Sequence, residues 1–242
     1  MSFSWARVGA VLHKELRDYR RNRFVVATMA AVPALFITLP TIQLIAANTT
    51  DKALSLRIGL SLLYMLVIPV MMPSVVCAYS VVGEREQGTL EPVLSTPLRR
   101  EEFLIAKALA AFVPTLAIAY AVFGIFLAVA ALFAHPAIVS AIFTGPHVLV
   151  QLLFTPLLAG WAIWVGIAVS TRSTDVRVAQ QLSVLGSVPP LVIVALMSLN
   201  VISESTALAI GLAAALLAFD LLAWRVVASM FDRERLVTGS RR

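Results

Sequence analysis

Long stretches without a charged side chain dominate the chain. Between Arg23 and Asp51 lie 27 residues with no Asp, Glu, Lys or Arg, and the interval from Lys107 to Arg172 contains 64 such residues. About 20 apolar residues are enough for a helix to cross the ~30 Å hydrocarbon core of a bilayer. The 64-residue interval is therefore too long for one crossing, and the Gly, Pro and His residues in its middle predict a turn between two spans.

The same pattern along the whole chain predicts an all-α membrane protein with six transmembrane helices. The apolar runs are continuous and lack the strict alternation of β-barrel strands. We expect a single membrane domain over residues 1–242, with no linker to a second domain and an outer turn at 134–147. The predicted spans lie at about 24–47, 58–82, 104–133, 148–171, 179–202 and 206–228.

Lys and Arg residues are distributed unevenly between the two sides of this predicted bundle. If both termini lie on one side, that side holds 17 of the 19 Lys and Arg residues, and only Lys52 and Arg57 lie opposite. Cytoplasmic loops of membrane proteins carry an excess of positive residues. The sequence therefore predicts both termini in the cytoplasm, together with the connection between spans two and three and a tail at 229–242.

Composition agrees with a membrane protein and excludes two other classes. The chain is 60% hydrophobic and only 13% charged, with a mean hydropathy of +0.92. A water-facing surface needs about twice that share of charged residues, so a soluble enzyme and a disordered chain are both excluded. The net charge of +6 indicates contact with anionic lipid headgroups and not with nucleic acid.

Residues 1–23 predict an amphipathic helix that lies in the membrane interface. Apolar residues from Trp5 to Tyr19 recur at helical spacing, while charged residues occupy the remaining positions. Within it, the candidate functional residues are Trp5, Lys14, Glu15, Arg17 and Tyr19. The alternative is a membrane anchor with no further role.

The longest predicted cytoplasmic connection, residues 83–103, has the features of a folded elbow. Thr89 follows Gly88 and can cap one short helix, and Thr96 with Pro97 can begin a second. We expect a helix–turn–helix that projects from the membrane and carries charges of both signs. The alternative is an inert solvated loop.

Known catalytic and metal-binding patterns are not found in the sequence. Gly83 and Gly88 have the spacing of a phosphate-binding loop, but Thr89 stands where the lysine belongs and no strand precedes it. The three histidines are scattered and predict no metal triad. Cys77 is the one cysteine, so it cannot form an internal disulfide, and we expect it to be a packing residue.

The elbow carries the clearest family resemblance. Residues 84–91 read E-R-E-Q-G-T-L-E, followed by L-S-T-P at 94–97 and by Lys107. This pattern resembles the conserved cytoplasmic loop of type-two ATP-binding-cassette (ABC) transporter permeases. The segment H-K-E-L-R-D at 13–18 and the ending F-D-R-E-R at 231–235 are similar to the opening helix and the tail of that family.

The resemblance implies an export-type permease subunit without ATPase activity of its own. Such a protein is a multi-pass component of a prokaryotic cytoplasmic (inner) membrane, paired with a second permease copy or a paralogue. Two copies of a separate ABC ATPase subunit would bind ATP and Mg²⁺, and this chain itself would bind no cofactor. The resemblance assigns ATPase docking to Glu84, Arg85, Glu86, Gln87, Gly88, Thr89, Leu90 and Glu91.

Two other functions remain possible at this point. A membrane scaffold that transports nothing would share the six spans, and its intramembrane prolines and carboxylate would be freely replaceable. A membrane-embedded enzyme acting on lipids or peptides would need a titratable group in a cavity and activity without a nucleotide.

A few residues within the predicted spans are also candidates for function. The paired prolines Pro69 and Pro73, and Pro189 and Pro190, predict hinges, although membrane helices tolerate proline in general. Asp220 is the one carboxylate at membrane depth. It predicts either a cation or proton site or a structural pair with an arginine such as Arg225.

Overall fold

The computed structural model describes residues 3–47, 54–79, 81–86, 88, 99–144, 147–199 and 206–230. These residues form α-helices joined by short connections, with no strand among them. The helices are α1 Trp5–Arg21, α2 Arg23–Ile45, α3 Leu54–Ala78, α4 Val82–Glu86, α5 Arg100–Phe133, α6 Pro136–Thr144, α7 His147–Arg172, α8 Val176–Ser198 and α9 Thr206–Met230.

Six of these helices are long and apolar enough to cross a membrane, namely α2, α3, α5, α7, α8 and α9. The all-α class and the number of predicted spans are thereby confirmed. The first residues of α2 and α5 share one apolar cluster with the last residues of α3 and α9, so successive helices alternate in direction. That end of the bundle also carries α1 and α4, whereas α6 lies at the opposite end.

Helix α3 lies in the middle of the bundle and packs against α2, α5, α7 and α8. Its approach to α8 is close at both ends. A Cβ atom at Gly59 would collide with the backbone carbonyl of Ser198, and the Ser74 hydroxyl donates a hydrogen bond to Ser187 Oγ at 3.0 Å. A displacement of α3 therefore reaches most of the other spans directly.

Residues 134–147, where the sequence predicts a turn, contain the short helix α6. Pro136 occupies its first position, where the missing amide hydrogen costs nothing. Ile138 and Ile142 lie four residues apart and are buried among the ends of α2, α3 and α5. The turn thus forms a lid on the apolar core at this end.

Two helix boundaries differ from the predicted spans beside the elbow. Helix α3 ends at Ala78 and a separate helix, α4, begins at Val82, whereas the sequence predicts one span to 82. Helix α5 begins at Arg100, four residues before the predicted 104. The helix caps predicted at Thr89 and Thr96, and the tail motif at 231–235, lie outside the described residues.

Candidate functional site

The break between α3 and α4 is held by a single side chain from a neighbouring span. Ser170 of α7 accepts hydrogen bonds from the amides of Val81 and Val82, both at 3.1 Å, and donates one to the carbonyl of Ala78 at 2.8 Å. The last carbonyls and first amides of helices lack partners within the helix. The fully buried Ser170 is the hydrogen-bond partner of these backbone groups. The chain can therefore break its helix here without leaving buried amides and carbonyls unpaired.

Helix α4 carries Glu84, whose carboxylate points into the protein. Glu84 Oε1 lies 2.8 Å from Lys14 Nζ of α1 and 3.3 Å from Lys107 Nζ of α5. Lys107 Nζ in turn lies 3.2 Å from Glu15 Oε1. We call Lys14, Glu15, Glu84 and Lys107 the charge cluster. It joins three helices that are remote in sequence and lies where the family motif begins.

Burial explains why these four charges are arranged in this way. The Lys107 side chain is only 1% exposed, and those of Glu15 and Glu84 are 7% and 9% exposed. An isolated charge in such a place would be strongly unfavourable, so Lys107 needs both carboxylates around it. Its ammonium also lies 4.8 Å from the centre of the Phe103 ring, a cation–π contact.

Two groups in and beside the charge cluster, Lys14 and Tyr19, have a raised pKa. Partial burial acts to lower the pKa of Lys14, but the Glu84 carboxylate outweighs it and the pKa is raised. Lys14 therefore stays charged at neutral pH. Burial and the nearby Glu15 carboxylate raise the pKa of Tyr19 well above its usual value, so its hydroxyl stays protonated.

A second set of contacts ties the start of α1 to the start of α5. Glu102 is fully buried and accepts hydrogen bonds from the Ser4 amide at 2.8 Å and from Arg7 Nε at 2.9 Å. The Arg99 amide also donates to it at 3.1 Å, which caps α5. The N-terminal helix is thus fastened to α5 at two places, Glu102 and Lys107.

The far end of α4 contacts α8. Glu86 Oε1 accepts a hydrogen bond from the Val176 amide at 3.3 Å, at the start of α8. Gly88 follows with a φ of +67°, a backbone conformation that favours glycine.

The whole arrangement can be compared with known families now that its geometry is described. Residues 9–198 match the family described as ABC-2 family transporter protein. The chain belongs to the ABC-2 transporter family. The match covers α1 from Gly9 onward, the charge cluster and five of the six apolar helices. No curated protein matches the sequence.

Membership of the ABC-2 family makes the chain a multi-pass membrane protein of the ABC transporter permease type. Permeases of this family are typically membrane subunits without catalytic activity. Among the residues that the structure describes, no group of three or more His, Cys, Asp or Glu side chains could hold a metal ion.

The structure divides the docking residues implied by the ABC-2 resemblance into separate groups. Glu84 is part of the internal charge cluster, Glu86 is exposed beside α8, and Gly88 is exposed at the turn. The side chain of Arg85, and Gln87, Thr89, Leu90 and Glu91 as whole residues, lie outside the described part of the chain.

The residues predicted to line the interfacial helix lie on different sides of α1. Trp5 is 68% exposed at its start, and Lys14 and Glu15 belong to the charge cluster. Tyr19 packs beside that cluster, in the apolar group that includes Val76 and Phe103. Arg17 lies on another side and donates to His13 Nε2 at 3.3 Å. The predicted helix is therefore present. In addition to any contact with the membrane interface, its inner side is joined to the other helices by ion pairs and apolar packing.

The predicted hinge prolines lie within continuous helices. Pro69 and Pro73 are buried in α3, and in α8 Pro190 is buried while Pro189 is exposed. Neither pair interrupts its helix. A hinge at either pair stays a prediction.

Asp220 lies on α9 and faces α7 at Gly160, where a Cβ atom would come 2.9 Å from the Asp220 carboxyl carbon. Its Oδ1 is buried, and no hydrogen-bond partner for it lies among the described residues. The structural pair with Arg225 is not formed in this part of the chain, because Arg225 is exposed and no ion pair joins the two. The role of Asp220 as a cation or proton site stays a prediction.

Proposed function

We propose that this chain is the permease subunit of an ABC exporter, forming the translocation path and working with a separate ATPase. Its membership of the ABC-2 family supports the permease role. The charge cluster supports the coupling role, because it fastens α4, the first helix of the predicted elbow, to α1 and α5. ATP and Mg²⁺ would bind to the ATPase subunits, and a second permease copy would complete the path.

Force applied to the elbow would reach the bundle through both ends of the elbow. One end continues through α4 into α3, and the other continues into α5 at Arg100. The charge cluster joins these two ends through α1, so α3 and α5 move together and do not separate. Since α3 packs against four other spans, its displacement would rearrange the bundle as a rigid-body transition.

Within this proposal, Glu84 has a different task from the rest of its motif. Its carboxylate is occupied by Lys14 and Lys107, so it would hold α4 in place instead of touching the ATPase. Direct docking contacts are assigned to the later motif residues, of which Arg85 and Glu91 carry charges suited to a polar partner surface.

The coupling proposal is tested by reversing one charge inside the motif and one outside it. Membranes carrying the tagged chain are solubilised, and co-purified proteins are identified by mass spectrometry. We expect an ABC ATPase with the wild type, and on the order of tenfold or greater loss of its binding with Arg85→Glu. Arg225→Glu, an equal change at an exposed position on α9, should retain it. Equal retention or equal loss in both variants contradicts the docking role.

The proposed orientation is tested with single cysteines. Cys77 is buried, and Cys77→Ala gives a background without thiols. In that background, Arg100→Cys at the start of α5 and Ala137→Cys on α6 place exposed thiols at opposite ends of the bundle. A membrane-impermeant maleimide should label the α6 thiol in intact cells and the α5 thiol only after permeabilisation. The opposite labelling would place the elbow outside and overturn the coupling proposal.

A further inference from the structure

A groove lies beside α1, next to the pocket that holds the charge cluster, and Tyr19 and Arg21 line both. It has a volume of about 750 Å³ and lies between α1, α2 and α5. We call it the α1–α2 groove and define it by Arg17, Arg20 and Arg21 of α1, Val26 and Met29 of α2, and Pro114 of α5. Its volume is in the range of small-molecule sites in proteins.

The charges at this groove are all of one sign. No Asp or Glu is among its lining residues, and none of the three arginines forms an ion pair within the described part of the chain. Arg17 donates to His13 Nε2 at 3.3 Å, which is a contact with an imidazole and not with a carboxylate. The neighbouring acids Glu15 and Asp18 are engaged with lysines on the other side of α1.

The floor of the groove is apolar. Val26 is 46% exposed, and Met29 and Pro114 lie beside it, half-buried. Val26 and Met29 belong to the first two turns of α2, where the charge-free span begins. The arginines therefore lie at the depth of lipid headgroups and the apolar floor lies at the depth of the first acyl carbons.

We propose that the α1–α2 groove binds one phospholipid with an anionic headgroup. The headgroup phosphate would accept hydrogen bonds from the three arginines, whose guanidinium groups suit phosphate oxygens. An acyl chain would cover Val26, Met29 and Pro114. A soluble anion would leave that apolar floor exposed to water, and an apolar compound would leave three cations without a counter-charge. The proposal does not depend on coupling to an ATPase.

Native mass spectrometry of the purified chain in detergent tests the proposal. Phosphatidylglycerol and phosphatidylcholine with the same acyl chains are added separately, and retained lipid is counted per chain. We expect one tightly retained phosphatidylglycerol and no comparable retention of phosphatidylcholine. Removing three charges with Arg17→Gln, Arg20→Gln and Arg21→Gln should weaken the retention of phosphatidylglycerol on the order of a hundredfold.

The matched control removes three other exposed arginines at the same end of the bundle, with Arg172→Gln, Arg177→Gln and Arg225→Gln. It has the same net charge and should retain the lipid. Equal loss in both triple variants would show general electrostatic attraction and would overturn the proposal. Retention of phosphatidylcholine equal to that of phosphatidylglycerol would overturn it as well.

A single substitution in the floor tests the groove itself. Val26→Glu places a carboxylate beside the three arginines, and Val178→Glu is its control, because Val178 is 48% exposed and lies at the start of another span, α8. Only Val26→Glu should lose the lipid. Glycerol phosphate in excess should not displace it, and displacement by that soluble anion would show a phosphate site without an acyl-chain site.

Discussion

The two grooves beside α1 differ in how their charges are satisfied. The groove on the inner side has a volume of about 480 Å³ and contains the charge cluster, where two ammonium groups meet two carboxylates. The α1–α2 groove on the other side is about 750 Å³ and carries cations alone. Tyr19 and Arg21 line both grooves, so the paired and unpaired charges of α1 lie on adjoining parts of one helix.

Helix geometry explains how a single segment produces both surfaces. Residues three or four positions apart share a side of a helix. Lys14 and Asp18 share the inner side and His13 and Arg17 the outer side, while Arg21, three residues after Asp18, lines both grooves. Of the two acids of α1, Glu15 is buried beside Lys107, and Asp18 is exposed and lies 3.7 Å from Lys14.

The difference shows which charged side chains require an oppositely charged group nearby. Lys107 is 1% exposed, and a charge buried to that extent is strongly unfavourable unless carboxylates lie beside it. The arginines of the α1–α2 groove are exposed, so water or lipid can satisfy them. Substitutions on the two sides of α1 should therefore have very different consequences for stability.

Removing the buried cation should have the largest effect. Lys107→Met removes the buried counter-ion of Glu15 and Glu84 and leaves these two buried carboxylates with the half-exposed Lys14 alone. Breaking a buried ion pair in this way costs roughly 3–5 kcal/mol of stability. Thermal unfolding in detergent should show a clearly lower midpoint, and the complex with the ATPase should lose coupled hydrolysis. Arg100→Met, an exposed position on the same helix, is the control and should leave the midpoint unchanged.

A rescue experiment separates charge from packing at Lys107. Neutralising both acids in the same chain, with Glu15→Gln and Glu84→Gln, should recover much of the stability lost in Lys107→Met, because the burden of unpaired charge is gone. If the triple variant is as unstable as the single one, the lysine acts through its aliphatic stem, and the distinction between the two sides of α1 fails.

The fold follows from the sequence more completely than the site does. The spans are fixed by the length of the charge-free runs, a local property, and all six occur as helices. The pairing of Glu84 with Lys14 joins residues 70 positions apart, and Lys107 with Glu15 joins residues 92 apart. No local sequence pattern indicates contacts between residues so far apart in the chain. From the sequence, Glu84 is therefore predicted to be a surface docking residue.

Two other residues of the site have weaker signals in the sequence. Ser170 is one serine in an apolar span, and nothing nearby marks it as the partner of the α3–α4 break. Glu102 falls in the predicted elbow, whereas the structure places it in the first turn of α5, and its contacts with Ser4 and Arg7 depend on where α1 packs. A lysine or glutamate at the edge of an apolar run, such as Lys107, is the one available hint of a buried pair.

The junction at Ser170 tests whether the inner side is held by more than its charges. Ser170→Ala would leave the amides of Val81 and Val82 and the carbonyl of Ala78 without this partner. Buried groups left unsatisfied cost about 1–3 kcal/mol, so the unfolding midpoint should fall by less than in Lys107→Met. Ser183→Ala is the control, since that buried hydroxyl bonds only a carbonyl of its own helix. Equal effects in both variants would show that the break is held by the charge cluster alone.

The smallest expected effect separates two cations on the same helix. Lys14 and Arg20 are both exposed, but only Lys14 has a carboxylate partner, Glu84 at 2.8 Å. A double-mutant cycle of Lys14→Met with Glu84→Gln should give a coupling energy of roughly 0.5–1 kcal/mol, the upper part of the range for exposed ion pairs. The same cycle with Arg20→Met should give none. The two cycles share Glu84→Gln and differ only in the side of α1 on which the cation lies. A coupling energy of equal size in both would mean that Glu84 responds to the summed charge of α1 and not to contact with Lys14. The distinction between a paired inner side and an unpaired outer side would then have no energetic basis.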